Sequence, residues 1–116
     1  MSLPDPYCPD AGDIISLQFD PQAGREQAGR RPALVLSSRR YNAFARLCVA
    51  CPITNTVRGW NFEVALEGTG CQTTGVVLSD QVKSVSWTER GSEFIEPAPP
   101  GVLAETRAKV KALLGM

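Results

Sequence analysis

One glutamate stands five residues ahead of an arginine in Gly24-Arg25-Glu26-Gln27-Ala28-Gly29-Arg30-Arg31-Pro32, with glycine on both sides and a proline at the exit. A carboxylate can take the proton of a ribose 2′-hydroxyl. An arginine can meet the charge that builds on a phosphorane, because its planar fork donates two parallel hydrogen bonds to phosphate. Glu26 and Arg31 are therefore a candidate pair for cleaving RNA through its own 2′-hydroxyl. The same residues also fit an exposed loop with a surface ion pair of little energetic weight. Two other segments end apolar runs with polar groups that could face the same site: Thr54-Asn55, and Ser79-Asp80-Gln81-Val82-Lys83. Each is equally an ordinary turn that satisfies its local backbone.

What the sequence lacks narrows the chemistry. It contains no histidine, which excludes a Ser-His-Asp triad, a Cys-His dyad and histidine acid–base catalysis. It has neither a phosphate-binding Gly-x-x-x-x-Gly-Lys-Ser/Thr loop nor the clustered carboxylates that hold catalytic magnesium. Cys48 and Cys51 form a C-x-x-C inside an apolar run, where period-two alternation puts their side chains on opposite faces. Together with Cys8 and Cys71 they are expected to be free thiols, with no structural metal and no cofactor. Formal net charge is zero, yet residues 21–58 carry seven arginines against Glu26 as the sole carboxylate. That asymmetry fits a local anion site or a solvated arginine face.

These groups need a scaffold. The 116 residues suit one domain, with residues 1–10 as an irregular lead-in that lacks the marks of a signal peptide. No apolar run is long enough to span a bilayer, so the cytoplasm is the expected location. Residues 13–19 alternate, with Ile15, Leu17 and Phe19 on one face. Residues 20–30 form a loop, and residues 32–37 and 47–53 make short buried strands. Phe62, Val64 and Leu66 alternate with Glu63 and Ala65, and two further strands follow at residues 75–78 and 82–87. After Pro97, Pro99 and Pro100 the period changes. Leu103, Thr106, Val110, Leu113 and Leu114 fall on one helical face that ends at Gly115. The expected fold is mainly β, a small antiparallel barrel closed by a C-terminal helix.

The ordered set Gly12-Asp13-Ile14-Ile15, Phe19-Asp20-Pro21, the Glu-Gln-x-Gly-x-Arg-Pro core, Pro52-Ile53-Thr54, Phe62-Glu63-Val64 and Ser79-Asp80-Gln81-Val82-Lys83-Ser84-Val85 resembles the MazF/PemK (ChpB-like) toxins of bacterial toxin–antitoxin pairs. The resemblance implies an SH3-like barrel of CcdB/MazF type, paired as a homodimer. It implies a metal-independent endoribonuclease, an mRNA interferase, that cuts single-stranded RNA to 2′,3′-cyclic phosphate and 5′-hydroxyl ends. Glu26 falls on the family's candidate general base, Arg31 on its essential arginine and Thr54 on a hydroxyl at the phosphate. Arg25, Gln27, Arg30, Asn55, Trp60, Gln81 and Lys83 are the expected RNA-binding set, with Trp60 placed to stack a base. The implied partner is a MazE-like antitoxin whose acidic disordered tail covers the RNA groove. Asn61 departs from the family, where proline is frequent. Two other readings fit the fold alone: a non-enzymatic toxin that binds a topoisomerase, and a peptide-binding SH3-like module, which the low aromatic content disfavours.

Overall fold

The computed structural model describes residues 7–18 and 29–116. The elements run β1 (Asp13–Gln18), β2 (Arg30–Val35), α1 (Arg39–Ala45), β3 (Cys48–Thr54), β4 (Glu63–Ala65), β5 (Val76–Leu78), a 3-10 turn (Ser79–Gln81), β6 (Lys83–Val85), β7 (Glu93–Pro97) and α2 (Pro100–Leu113). The strands pair antiparallel in the order β4-β5-β3-β2-β1-β7, and β6 also lies on β3. The mainly β architecture with a C-terminal helix is as expected from the sequence.

The second half of β2, Ala33 to Val35, and nearly all of β3 are apolar because both of their faces are covered. Ile14, Leu34, Cys51 and Ile53 face one core with Val64, Val77 and, from α2, Val102. Ile15, Leu17, Ala33, Val35, Cys48 and Ala50 face a second core with Val85 and Trp87. Cys48 and Cys51 thus point into different cores, as period two requires, and burial pushes both thiols up to about 12. They are packing residues rather than a redox or metal pair.

Strand β3 organises the sheet. On one edge it pairs with β2 through Ala50, Cys51 and Pro52. On its other edge it holds β5 at Ile53 and Thr54, and β6 at residues 48–50. Between these two ladders, residues 78–82 stand opposite only Cys51 and Pro52, so the 3-10 turn bulges from the sheet. The cause is local. Val49 turns both backbone groups toward β2, donating to the Ser37 hydroxyl at 2.8 Å and accepting from Leu36 N–H at 2.8 Å. Alternation then turns Pro52 toward β5 and β6, where it has no N–H to give. The ladder opens there, and the turn carrying Gln81 fills the gap.

Several elements differ from the sequence-based expectation. Helix α1 was not anticipated, because its buried residue is the polar Asn42. The Asn42 amide donates to the carbonyls of Pro9 (2.8 Å) and Ser37 (3.0 Å), and its oxygen accepts the Ser37 hydroxyl at 2.6 Å. Strand β7, exposed and rich in charge, was also missed. Glu63 was expected on a polar face but is buried. In α2, Val102 and Thr106 are buried and Val110 packs on the same core, whereas Leu113 and Leu114 are 55% and 60% exposed. The helix opens on Pro100 and closes at Gly115, whose φ of +73° lets Met116 N–H reach Lys111 O at 3.0 Å and Gly115 N–H reach Ala112 O at 3.1 Å.

Candidate active site

Of the site residues expected from the sequence, Arg25, Glu26 and Gln27 lie outside the described residues. The described residues that flank them, Gln18 and Gly29–Arg30, are adjacent, because Gln18 pairs with Arg30 in the sheet. The remaining expected residues gather along one groove of three adjoining concavities that share Thr54. The first, about 340 Å³, is bordered by Arg30, Arg31, Asn55 and Thr74. The second, about 300 Å³, lies between Arg31, Pro52, Gln81 and Lys83. The third, about 190 Å³, lies between Arg58, Trp60, Glu63 and Gln81.

Each side chain has a structural reason for its place. Thr54 ends β3, and its Oγ1 accepts the Thr56 N–H at 3.1 Å. Its hydroxyl proton therefore remains to be donated into the groove. Asn55 is held by the Thr74 hydroxyl, which donates to Asn55 Oδ1 at 2.7 Å. The segment bearing Thr74 is anchored from β7. The Glu96 carboxylate accepts the backbone N–H groups of Gln72 (3.1 Å) and Thr73 (2.7 Å), the Thr73 hydroxyl (2.6 Å) and the Cys71 thiol (3.2 Å). These donors, the Thr73 hydroxyl first, hold Glu96 down to about 2.

The two adjacent arginines of β2 do different things. Arg30 turns toward β1 and β7. Its guanidinium donates to Ser16 Oγ (3.0 Å), Ser16 O (3.1 Å) and Gly91 O (2.7 Å), with Glu93 at 3.6 Å. Arg31 is exposed beside Thr54, and among the described residues its guanidinium has no hydrogen-bond or ion-pair partner. Of the two, only Arg31 keeps its planar fork available for an anion.

Sequence reasoning overlooked the group that shapes the far end of the groove. Buried Glu63 accepts the N–H of Arg58 at 3.1 Å and of Gly59 at 3.0 Å, one on each carboxylate oxygen. Trp60, half exposed, lies 5.2 Å from the Phe62 ring centre, and the Arg58 guanidinium sits 5.2 Å from the Trp60 ring. Nothing in the spacing of Arg58, Gly59 and Glu63 marks this bond pattern, because the bonds are made to backbone.

Cationic Arg31, Arg58 and Lys83, hydroxyl Thr54, amides Asn55 and Gln81, and aromatic Trp60 thus line a continuous surface. Such a set can bind a phosphodiester backbone, stabilise charge on it and stack a base. Among the described residues no group of three or more carboxylates, cysteines or histidines could hold a metal ion.

Comparison with known proteins gives the same direction. A family model described as PemK-like, MazF-like toxin of type II toxin–antitoxin system matches residues 10–114. Endoribonuclease toxin MazF of Escherichia coli (strain K12) is 44% identical over 109 residues, covering 94% of this chain and 96% of its own. Endoribonuclease PemK of Escherichia coli is 35% identical, covering 90% and 81%. A crystal structure of MazF from Deinococcus radiodurans superposes with a TM-score of 0.86 at 50% identity, covering 96% of this chain and all of that one. A MazE–MazF structure from the same organism gives 0.84 at 44% identity, covering 96% and 99%.

Proposed function

Because this chain belongs to the PemK-like, MazF-like toxins of type II toxin–antitoxin systems, we propose that it is a sequence-specific, metal-independent endoribonuclease acting on single-stranded RNA. The observation that carries this reading is the nearly full-length likeness to endoribonuclease toxins, joined to a groove where Arg31, Thr54 and Gln81 meet. In the proposed reaction Glu26 takes the proton of the ribose 2′-hydroxyl. The 2′-oxygen then bonds to phosphorus, and the bond from phosphorus to the 5′-oxygen breaks. A 2′,3′-cyclic phosphate and a 5′-hydroxyl result, the leaving oxygen taking its proton from water. Arg31 and the Thr54 hydroxyl bind the phosphorane oxygens. A guanidinium holds its proton far above neutral pH, so Arg31 is assigned to charge stabilisation and not to proton donation. Arg25, Gln27, Asn55, Trp60, Gln81 and Lys83 contact the RNA, and Arg30, whose fork is held by Ser16 and Gly91, contributes positive charge beside it.

One change of medium and one change of substrate test this scheme. An RNA oligonucleotide should be cut in EDTA at the rate seen without it, and 2′-deoxy substitution at the scissile nucleotide should abolish cutting. EDTA inhibition that magnesium reverses would overturn the scheme. A protein that never cuts RNA would favour the non-enzymatic alternative.

The chain works, in this reading, as a single toxin domain in a cytoplasmic homodimer, neutralised by a cognate MazE-like antitoxin. A relative from Deinococcus radiodurans is known in a MazE–MazF structure. Among the described residues no helix is long and apolar enough to cross a membrane. Exposed Leu113 and Leu114, which their own core leaves uncovered, are available for an intersubunit seam. An acidic antitoxin tail would carry the same charge as RNA and lie in the same arginine-lined groove, with binding that weakens as salt rises. Light scattering at micromolar concentration should return twice the 12.5 kDa chain mass. RNA should displace an acidic antitoxin peptide from that species; a monomer that holds RNA and peptide together would count against both assignments.

A further inference from the structure

Residues 55–60 are exposed and belong to no strand or helix, yet they form one wall of the groove. A segment of this kind loses much conformational freedom when it is fixed, so something must hold it. Two charged side chains do so, and neither lines the cavities around Arg31. Glu63, at the start of β4, accepts the N–H groups of Arg58 and Gly59 through its two carboxylate oxygens. Lys109, on α2, donates from Nζ to the carbonyls of Asn61 and Glu63, the latter at 3.1 Å, with Glu105 at 3.5 Å. One group fixes the start of the turn and the other fixes its end.

The clamp has a chemical consequence. With residues 58 and 59 fixed, the Arg58 guanidinium lies over one part of the Trp60 surface and Phe62 supports another. The cavity beside them, at about 190 Å³, is smaller than the 300 Å³ or more typical of a site that encloses a whole ligand. It suits one planar ring, with the Gln81 amide at its border to meet polar edge atoms. Thr54 belongs both to this cavity and to the one around Arg31, so the ring it admits lies beside the scissile phosphate.

Building on the ribonuclease reading, we propose that Glu63 and Lys109 are positioning residues for substrate selection. By clamping residues 58–61 they keep a ring-sized pocket open next to the cleaved bond, and so set which nucleobase is accepted there. The pair also ties α2 to the pocket wall.

Three measurements on the intact protein decide this: cleavage sites on a long RNA mapped by their 5′-hydroxyl ends, KM and kcat on the best oligonucleotide, and Tm. Glu63→Gln replaces one acceptor oxygen with an amide nitrogen that cannot accept an N–H. It should raise KM about tenfold, leave kcat within about twofold and broaden the preference at one nucleotide beside the cut. Lys109→Met keeps the aliphatic stem and loses the donors; it should change KM and preference in the same direction by about threefold. Lys109→Arg should restore most of the preference. If both variants lower Tm while KM and preference stay at wild-type values, the clamp is merely structural and the proposal is wrong. Should Glu63→Gln not fold, Lys109→Met alone carries the decision by the same criteria. Wild-type protein that cuts no RNA would remove the ribonuclease reading itself, an outcome distinct from failure of the clamp.

Discussion

Arg31→Ala is expected to lower the single-turnover rate of RNA cleavage by about a hundredfold or more, as loss of a transition-state donor typically does. Arg31 borders the concavity shared by Thr54 and Gln81, and its guanidinium makes no competing bond among the described residues. Arg30 is the internal control. It neighbours Arg31 on an extended strand, so the two side chains leave on opposite faces. Its guanidinium is committed to Ser16 and Gly91. Arg30→Ala should weaken RNA binding several-fold and flatten its salt dependence, with the saturated rate nearly unchanged. Glu26→Gln should lower the rate as well while sparing most of the affinity, because the amide keeps the shape and loses the base. Single-turnover rates at saturating enzyme separate the three. Loss of the chemical step in Arg30→Ala, with Arg31→Ala intact, would show that the assignment at the start of β2 is off by one residue.

The fold was legible wherever a strand or helix announces itself by apolar side chains. Ala33 to Val35 and Cys48 to Cys51 are apolar because two cores press on them, and Val64 and Leu66 alternate as a half-buried strand should. Elements held by polar groups gave no such sign. Asn42 anchors α1 through three hydrogen bonds, and β7 is an exposed edge strand whose Glu96 serves another segment's backbone. The apolar face of α2 runs on to Leu113 and Leu114, which the chain's own core leaves exposed, because periodicity carries no information about where the sheet beneath a helix ends. At the candidate site, Arg31 could be singled out because arginine suits phosphate chemistry, whereas Thr54 drew its role at the phosphate from the family resemblance; the structure places both at one groove. Glu63 could not be singled out. Period two sends its side chain to the polar face, yet in a three-residue strand the carboxylate folds back onto two N–H groups of the preceding turn.

Gly75→Ala should be among the most damaging single substitutions in the protein, although it removes no atom. Gly75 precedes β5 with φ at +103°, a region that side chains rarely enter. A Cβ there would stand 2.2 Å from the Thr54 carbonyl oxygen and 2.8 Å from its carbon. Neither neighbour is a flexible side-chain end. Thr54 pairs with Val76 in the ladder between β3 and β5, and Gly75 O accepts the Leu66 N–H at 3.0 Å, so relief requires moving backbone on both sides. Strain at positive φ costs about 1–3 kcal/mol, and with the clash the total loss should be roughly 3 kcal/mol or more. For a domain of this size that lowers Tm by roughly 10–20 °C. Residual activity should also fall in the fraction that remains folded at low temperature, because the residue pushed aside is Thr54, which all three concavities of the groove share. Asn55→Ala is the comparison: it removes the Thr74 contact without touching backbone and should cost no more than about 1 kcal/mol. Urea unfolding of both variants, with cleavage rates measured well below their midpoints, checks the two effects separately. A Gly75→Ala protein with wild-type Tm would mean that β3 and β5 yield at Thr54 far more readily than their pairing allows.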